Sequence, residues 1–532
     1  MPLNKQSFLH GTLILVGAGF LTKILGFIYR IALSRIIGDE GMGLFQMAFP
    51  ILIFTIVVTT AGLPVAISKL VSEAEAKGES HRIRSILIVS IVIVFITSIT
   101  VTALVLITAP LIASTLLTDA RAIYSLLGIA PIIPIIAISS IFRGYFQGRQ
   151  NMSPYAISTI IEQMVRIFTV LLLAHYLLPF GIEYAAAGAM IGMVIGEFTG
   201  MFYLLYSFKK DPTRPVLNLG KRNARSRLSA MAHIKTLKKT LSDLLRLALP
   251  VTASRLVGSF AYAIEPIVVA QSLALAGITA SATTALYGQL EGMAVPIVFF
   301  PAFITYALSV SLVPAVSEAA AQNQHHLVEY RLQQALRLSL VVGAPCSLLI
   351  YFLAEPLSIL LFKQSEVAHL MQIMAPFAIL YYLQGPLSSV LQGLDRAPAA
   401  MKNTIIGALI KTALIFVLAS RPELGIDGVA LAVNAGIIIV TILHFISILK
   451  SIPFSLHINE LARLFLSIMI SGIVTYFCVN THHDSLMIKV LITTFFSLFV
   501  YLLCIMLFAV IKQDDVKRIP YIGKPLCYFL PR

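Results

Sequence analysis

The chain has 532 residues, 58% of them hydrophobic and only 12% charged, with a mean hydropathy of +0.91. A soluble domain is nearer a quarter charged, so this balance leaves too little polar surface for a water-soluble fold and excludes the soluble enzymes. The formal net charge of +15 belongs to connecting loops rather than to a nucleic-acid surface, and no nucleic-acid partner is expected.

Apolar runs of about 20 residues, the length that crosses a bilayer core as a helix, recur from end to end. The first, 8–37, is too long for the apolar part of a cleavable signal, carries Lys23 in its middle and lacks a small-x-small cleavage pattern. Thirteen more follow, at 42–68, 85–116, 122–147, 155–178, 184–208, 243–272, 283–315, 333–362, 367–393, 401–419, 425–449, 460–480 and 486–511. The expected fold is an all-α polytopic membrane protein of 14 transmembrane helices.

An even number of spans puts both termini on one side, and charge says which. The loop 209–242 holds ten Lys or Arg, and the loops at 69–84 and 394–402 and the tail after Lys512 are basic too. The alternate loops hold little beyond Arg121, Lys363 and Arg421. By the positive-inside rule the termini are cytoplasmic. A surface helix over 221–239 gripping anionic lipid is a further possibility.

An internal repeat organises the spans. "APIIPIIAISSIFRGYFQGRQNMSPYAISTII" from Ala130 is answered by "APFAILYYLQGPLSSVLQGLDRAPAAMKNTII" from Ala375, an offset of 245. At that offset Gln147-Gly148 falls on Gln392-Gly393, and "LVSEA" (70–74) on "AVSEA" (315–319). The chain therefore reads as an N-terminal six-helix half (1–208), a basic cytoplasmic linker (209–242), a C-terminal six-helix half (243–450), and two extra helices with a cytoplasmic tail (451–532). Six spans per half makes the repeat parallel, an arrangement that places a cavity between halves that rock.

"TKILGF" (22–27) matches "SRLVGS" (254–259), which sets Lys23 opposite Arg255 in the first span of each half. A cation at the bilayer centre costs about 2.5–3.5 kcal/mol on insertion scales, so it should face water, a partner or a ligand. Arg30 lies about 20° off the Lys23 face of the same helix. Lys23, Arg30 and Arg255 are the candidate anion-binding residues. A structural ion pair is the alternative for Arg255. Glu265 is about 15 Å along the helix and about 80° round it, which leaves Glu291 or Glu197 as possible partners.

Glu265 and Glu291 are candidate ion-coupling carboxylates, able to carry protons or bind Na⁺. Glycine and proline punctuate the same spans (Pro250, Pro266, Gly288, Gly292, Pro296, Pro301), which allows bent helices beside a cavity. Glu162 and Arg166, spaced i, i+4, suit a structural pair on one helix face. Arg143 and Arg149 read as topogenic anchors at the cytoplasmic end of the fourth span.

No cofactor or metal is expected. The sequence has no GxxxxGK[ST] loop, and "GAG" at 17–19 lacks a dinucleotide context. His325-His326 and His482-His483 have no acidic or cysteine partner at ligand spacing. The four cysteines (Cys346, Cys478, Cys504, Cys527) read as small apolar residues.

The stretches "GTLILVGAGFLTKILGFIYRIALSRIIGDEGMGLFQMAFP", "AGLPVAISKLVSEA", "IFRGYFQGRQNMSP", "GIEYAAAGAM" and "EPIVVAQSLA" closely resemble the polysaccharide-transport branch of the multidrug/oligosaccharidyl-lipid/polysaccharide exporter superfamily. The resemblance runs essentially end to end. It implies a non-enzymatic transporter of the bacterial plasma membrane that serves spore-cortex peptidoglycan, with a lipid-linked precursor as cargo. Membrane lipids and cell-wall synthesis enzymes are the implied partners. A more distant similarity, to the MurJ-type lipid II flippases, implies fourteen spans and a cationic central cavity, with Lys23 matching a cavity cation. Arg30 falls one place off their next basic position, occupied here by Tyr29, and their cationic second span meets the uncharged "FTIVVTTAGLP" (54–64).

The expected function is thus an alternating-access flippase for an undecaprenyl-diphosphate-linked precursor. The alternatives are a cation-coupled multidrug exporter, which would want an acidic rather than a basic site, and a membrane glycosyltransferase or a scaffold for wall synthesis. The external acids Glu183, Glu366, Glu423 and Asp427 are too sparse to persuade for the glycosyltransferase.

Overall fold

The computed structural model describes residues 8–60, 62–215, 227–455, 458–481 and 485–510, and among them all regular structure is helical. Thirteen helical stretches are long and apolar enough to cross a membrane. The first contains α1 (Phe8–Thr60), which leaves helical geometry at Gly38 (φ 68°, ψ −168°). Only glycine adopts such angles at little cost. Gly38 therefore divides α1 into two limbs.

The chain divides into two compact units, Met1–Gly288 and Gln289–Arg532. The first contains α1, α2 (Leu63–Ala76), α3 (Ser80–Leu111), α4 (Ala122–Ile129), α5 (Ile132–Gly148), α6 (Ser153–Leu177), α7 (Ile182–Lys210), α8 (Arg227–Leu275) and α9 (Ala280–Tyr287). Its tightest pairing, α6 on α7, follows from four glycines at i+4 spacing along α7. A Cβ on Gly192 would lie 2.5 Å from the Val170 nitrogen, and one on Gly196 would lie 2.7 Å from the Arg166 Cβ. Gly188 and Gly200 continue the stripe against Leu173 and Glu162. Without a hydrophobic drive between helices in lipid, such small-residue seams let backbones close and gain dispersion contact.

A buried core formed by Leu63, Ile67, Ile86, Phe142, Tyr145 and Leu204 joins α2, α3, α5 and α7, and Leu244 and Ala248 of α8 enter the same cluster. Helix α8 begins within the basic linker and runs without a break through Pro250 and Pro266. Its Thr252 hydroxyl accepts a 2.8 Å hydrogen bond from the Gly62 amide. This packing places the seventh span in the first unit.

The eighth span is the broken one. After α9 the helix widens into a π-turn (Gly288–Ala294), resumes as α10 (Val295–Val298), and restarts beyond Pro301 as α11 (Ala302–Ala321). Pro296 and Pro301 each remove a backbone donor there.

The second unit continues with α12 (His325–Phe352), α13 (Ala354–Phe362), α14 (Val367–Gly393), α15 (Ala397–Ala419), α16 (Gly425–Leu449), α17 (Ile458–Val479) and α18 (Leu486–Leu507). Leu312, Val316, Leu332, Leu387, Leu391 and Ile448 form its core. The last two helices are joined by hydroxyls: Thr475 donates to the Ser497 hydroxyl at 2.7 Å, and Ser471 to the Ser497 carbonyl at 3.0 Å. Such bonds tie membrane helices together where apolar contact cannot discriminate.

Candidate functional site: helix cations and neutralised arginines

All three cations nominated from the sequence lie in the first unit. Lys23 and Arg255 are exposed, on α1 and α8, and Arg30 is half-buried on the first limb of α1. One turn before Arg30, Gly26 faces α6, where a Cβ would lie 3.7 Å from the Gln163 side-chain nitrogen. Among the described residues, neither Arg30 nor Arg255 forms an ion pair or a side-chain hydrogen bond. Glu265 is buried on α8, at 4% exposure, and Glu291 is half-buried in the π-turn of the second unit.

Four other arginines of this unit, Arg121, Arg143, Arg149 and Arg166, are neutralised by carboxylates. Arg143 of α5 donates to Glu162 of α6 and to Glu197 of α7, both at 2.9 Å. Arg166 bonds Glu162 as the i, i+4 spacing anticipated, and lies 3.7 Å from Glu197. The result is a buried group of two cations and two anions, which can form because the glycine stripe of α7 brings Glu197 down onto α6. Glu197, a possible partner for Arg255 on sequence grounds, is committed to Arg143 and Arg166 instead.

Arg143 and Arg149, read from the sequence as topogenic anchors, both hold ion pairs in the structure. The Arg149 side chain is only 4% exposed and pairs with Glu75 at 2.9 Å and Asp211 at 3.0 Å. Tyr145 donates to Asp211 at 2.7 Å. Burial pushes the Asp211 carboxyl up, but hydrogen bonds from Thr213 and Tyr145 and the charge of Arg149 outweigh it and hold the group below its ordinary value. These residues close one end of the unit, joining the ends of α2, α5 and α7.

A second charged cluster closes the opposite end. Arg121, in the turn after α3, bonds Glu40 of α1 at 2.7 Å and grips Asp119 through two nitrogens at 2.9 and 3.1 Å. Thr284 of α9 donates to Asp119 at 2.8 Å, and Ser281 bonds Glu40. Burial raises the Asp119 carboxyl, yet hydrogen bonds from Arg121 and Thr284 outweigh it and hold it below its ordinary value. The backbones are in direct contact: a Cβ on Gly43 would sit 1.9 Å from the Thr284 carbonyl oxygen, and one on Gly288 2.0 Å from that of Asp39. This end is stitched shut around the bend at Gly38.

Among the described residues no group of three or more His, Cys, Asp or Glu could hold a metal ion. Cys346, Cys478 and Cys504 are free thiols. His482-His483, Cys527, the tail after Lys512 and residues 221–226 of the lipid-gripping candidate lie outside the described residues.

Residues 8–281 match the family described as polysaccharide biosynthesis protein, and 291–417 match MatE. The chain belongs to the polysaccharide biosynthesis protein family. Stage V sporulation protein B of Bacillus subtilis (strain 168) is 45% identical, covering 98% of this chain and 99% of the relative. Lipid II flippase MurJ of the same organism is 25% identical, covering 85% of this chain and 84% of the relative. Among solved structures, the inward closed conformation of lipid II flippase MurJ superposes with a TM-score of 0.67 at 17% identity, covering 93% and 98% of the two chains. An inward-facing multidrug resistance MATE transporter superposes with a TM-score of 0.66 at 16% identity, covering 80% and 93%. The protein is thus a multi-pass membrane protein with the fold that these solved structures share.

Proposed function

We propose that this polysaccharide biosynthesis family member is an alternating-access flippase, moving an undecaprenyl-diphosphate-linked peptidoglycan precursor across the bacterial plasma membrane for spore-cortex synthesis. The observation that carries the reading is the contrast among arginines. Arg121, Arg143, Arg149 and Arg166 are each neutralised by carboxylates, whereas Arg30 and Arg255, on membrane-spanning helices, are in no ion pair among the described residues. A charge held in such a place without a carboxylate suits a transient anionic partner. A diphosphate offers several oxygens to a guanidinium fork and to the ammonium of Lys23.

The names of the similar proteins, one a sporulation protein and another a lipid II flippase, support the cargo class and the setting. The Glu40–Arg121–Asp119 cluster supports alternating access: it closes one end of the unit with contacts that can break and re-form. Glu265 and Glu291 are the proposed coupling carboxylates. The termini are proposed to be cytoplasmic, on the charge bias of the loops, and wall-synthesis enzymes would take up the cargo downstream. The protein itself performs no bond chemistry in this scheme.

The MatE match supports a second reading, a cation-coupled multidrug exporter. An organic cation would be repelled by Lys23, Arg30 and Arg255, and the same experiment separates the two. Purified protein in vesicles should translocate labelled lipid II. Lys23→Ala and Arg255→Ala should each slow it by about 10–100-fold, the equivalent of losing a charged hydrogen bond of about 1.5–3 kcal/mol. Normal flipping by both variants would overturn the cation assignment. Export of organic cations without any flipping would favour the second reading.

A further inference from the structure

The break in the eighth span is held by one side chain of the same unit. Helix α10 ends at Phe299 (φ −99°, ψ 1°), and the residues around it are bonded in a tighter register. The Phe300 amide donates to the Ile297 carbonyl at 3.2 Å, Ala302 to Phe299 at 3.1 Å, Phe303 to Phe300 at 3.2 Å and Ile304 to Pro301 at 3.1 Å. Each is an i, i+3 bond, where an α-helix makes i, i+4 bonds. The change of register strands one acceptor. In a continuous helix the Ala302 amide would reach the Val298 carbonyl, but here it is bonded one residue later. Among the described residues no backbone amide donates to Val298.

The Tyr382 hydroxyl of α14 takes that place, donating to the Val298 carbonyl at 2.6 Å. Tyr382 is fully buried, its ring seated against α12 at Gly343, where a Cβ would lie 2.4 Å from a ring carbon. The neighbouring Tyr381 ring meets Phe299 with centroids 4.3 Å apart, so two consecutive tyrosines grip the break. The internal repeat shows that these parts belong together. At the offset of 245, Tyr382 falls on Ala137 and Pro301 on Ile56. In the first unit α1 runs through Ile56 without a break, and Ala137 has no hydroxyl to offer. Break and donor are present together in one unit and absent together from the other.

We propose that the Phe299–Ala302 break is a two-state hinge whose broken register is latched by the Tyr382 hydroxyl. The two registers satisfy the same amides. Ala302, Phe303 and Ile304 exchange the carbonyls of Phe299, Phe300 and Pro301 for those of Val298, Phe299 and Phe300. In the second register the Ala302 amide takes over Val298, and Tyr382 gives up its acceptor. A backbone carbonyl within a membrane span must keep a partner, so Val298 is held by the phenol or by the amide, and the hinge has two discrete positions. Pro301 supplies no amide, and its ring presses on the Ile297 carbonyl in a continuous helix, which keeps that form from dominating. Under the alternating-access reading the hinge lets the segment bearing Glu291 swing relative to α11. The hinge itself rests on neither that reading nor the cargo.

The test uses the full chain without native cysteines, in lipid nanodiscs and without cargo. Spin labels at Val295→Cys and Ser311→Cys bracket the break, and electron paramagnetic resonance reads the distance between them. The otherwise unchanged protein should show one dominant distance. Tyr382→Phe, which removes only the hydroxyl, should raise a second distance by about tenfold relative to the first, the worth of one buried hydrogen bond. Pro301→Ala, which returns an amide to the helix and leaves Tyr382 untouched, should raise the same second distance. A single distance, identical in all three proteins, would overturn the hinge. A second distance with Pro301→Ala alone would overturn the latch assigned to Tyr382. Because no cargo is present, a protein that flips no lipid would leave these distances as they are, so the hinge and the flippase reading fail separately.

Discussion

Gly148 packs on Val71 so closely that a Cβ on the glycine would lie 2.9 Å from the valine Cβ, and Gly393 meets Val316 in the same way at 2.8 Å. Both pairs are related by the offset of 245 residues. The same helix-to-helix approach is thus made once in each unit, α5 on α2 and α14 on α11. In both cases the glycine's missing side chain is what permits it.

Adding a methyl group at these seams should be costly in both units. Gly148→Ala and Gly393→Ala should each lower stability by about 1–3 kcal/mol, the range for overpacking a tight interior. Gly17→Ala and Gly258→Ala, where a Cβ would meet nothing within 4 Å, should be neutral. Thermal unfolding in detergent, followed by fluorescence or aggregation, distinguishes the two pairs. Equal melting temperatures for all four variants would contradict the packing account.

The buried group of Arg143, Glu162, Arg166 and Glu197 should tolerate replacement as a unit better than the loss of one member. Arg143→Met alone leaves uncompensated carboxylates and should cost about 3–5 kcal/mol. Arg143→Met combined with Glu197→Gln should recover part of that loss. A double variant as unstable as the sum of its single changes would mean that the two residues do not interact.

Much of this architecture was legible in the residues. Span lengths, the duplication and the cations of α1 and α8 follow from hydropathy, an exact offset and the cost of charge in lipid. The Glu162–Arg166 pair follows from helical spacing. The partners of Arg143 and Arg149 do not, because Glu197, Glu75 and Asp211 lie 54 to 74 positions away in sequence, and helix periodicity carries no information at that range. One signal was available, the run of glycines at 188, 192, 196 and 200, which marks the seam that brings Glu197 to α6. The Arg121 cluster was hidden for the same reason. Each of its residues taken singly looks like an ordinary loop charge.

Acid should weaken the charged clusters at the two ends of the first unit. Asp119 and Asp211 sit below their ordinary values in the folded state. Their contribution is complete above the unfolded carboxylate value of about 3.9 and is lost as pH falls through the lower folded values. Melting temperature should therefore change little, on account of these groups, from pH 7 to about pH 4 and decline below it. Asp119→Asn and Asp211→Asn should flatten that decline. A variant with an unchanged acid limb would show that its carboxylate does not carry the effect.

Crosslinking tests whether the Arg121 end must open. In a background without native cysteines, Glu40→Cys with Ser281→Cys should form a disulfide, since the two native side chains are hydrogen-bonded. Oxidation should stop transport in vesicles, and reduction should restore it. Transport at the full rate with the bond formed would exclude opening between α1 and α9.

The most direct measurement of the central claim is binding of undecaprenyl diphosphate to the purified protein, followed by calorimetry or native mass spectrometry. Wild type should bind it, and Arg30→Gln with Arg255→Gln should weaken binding by about 100-fold or more, two charged hydrogen bonds being lost. Neutralised-site controls such as Arg121→Gln should bind as wild type does. Equal binding by wild type and the double variant would contradict the assignment of these cations to the diphosphate.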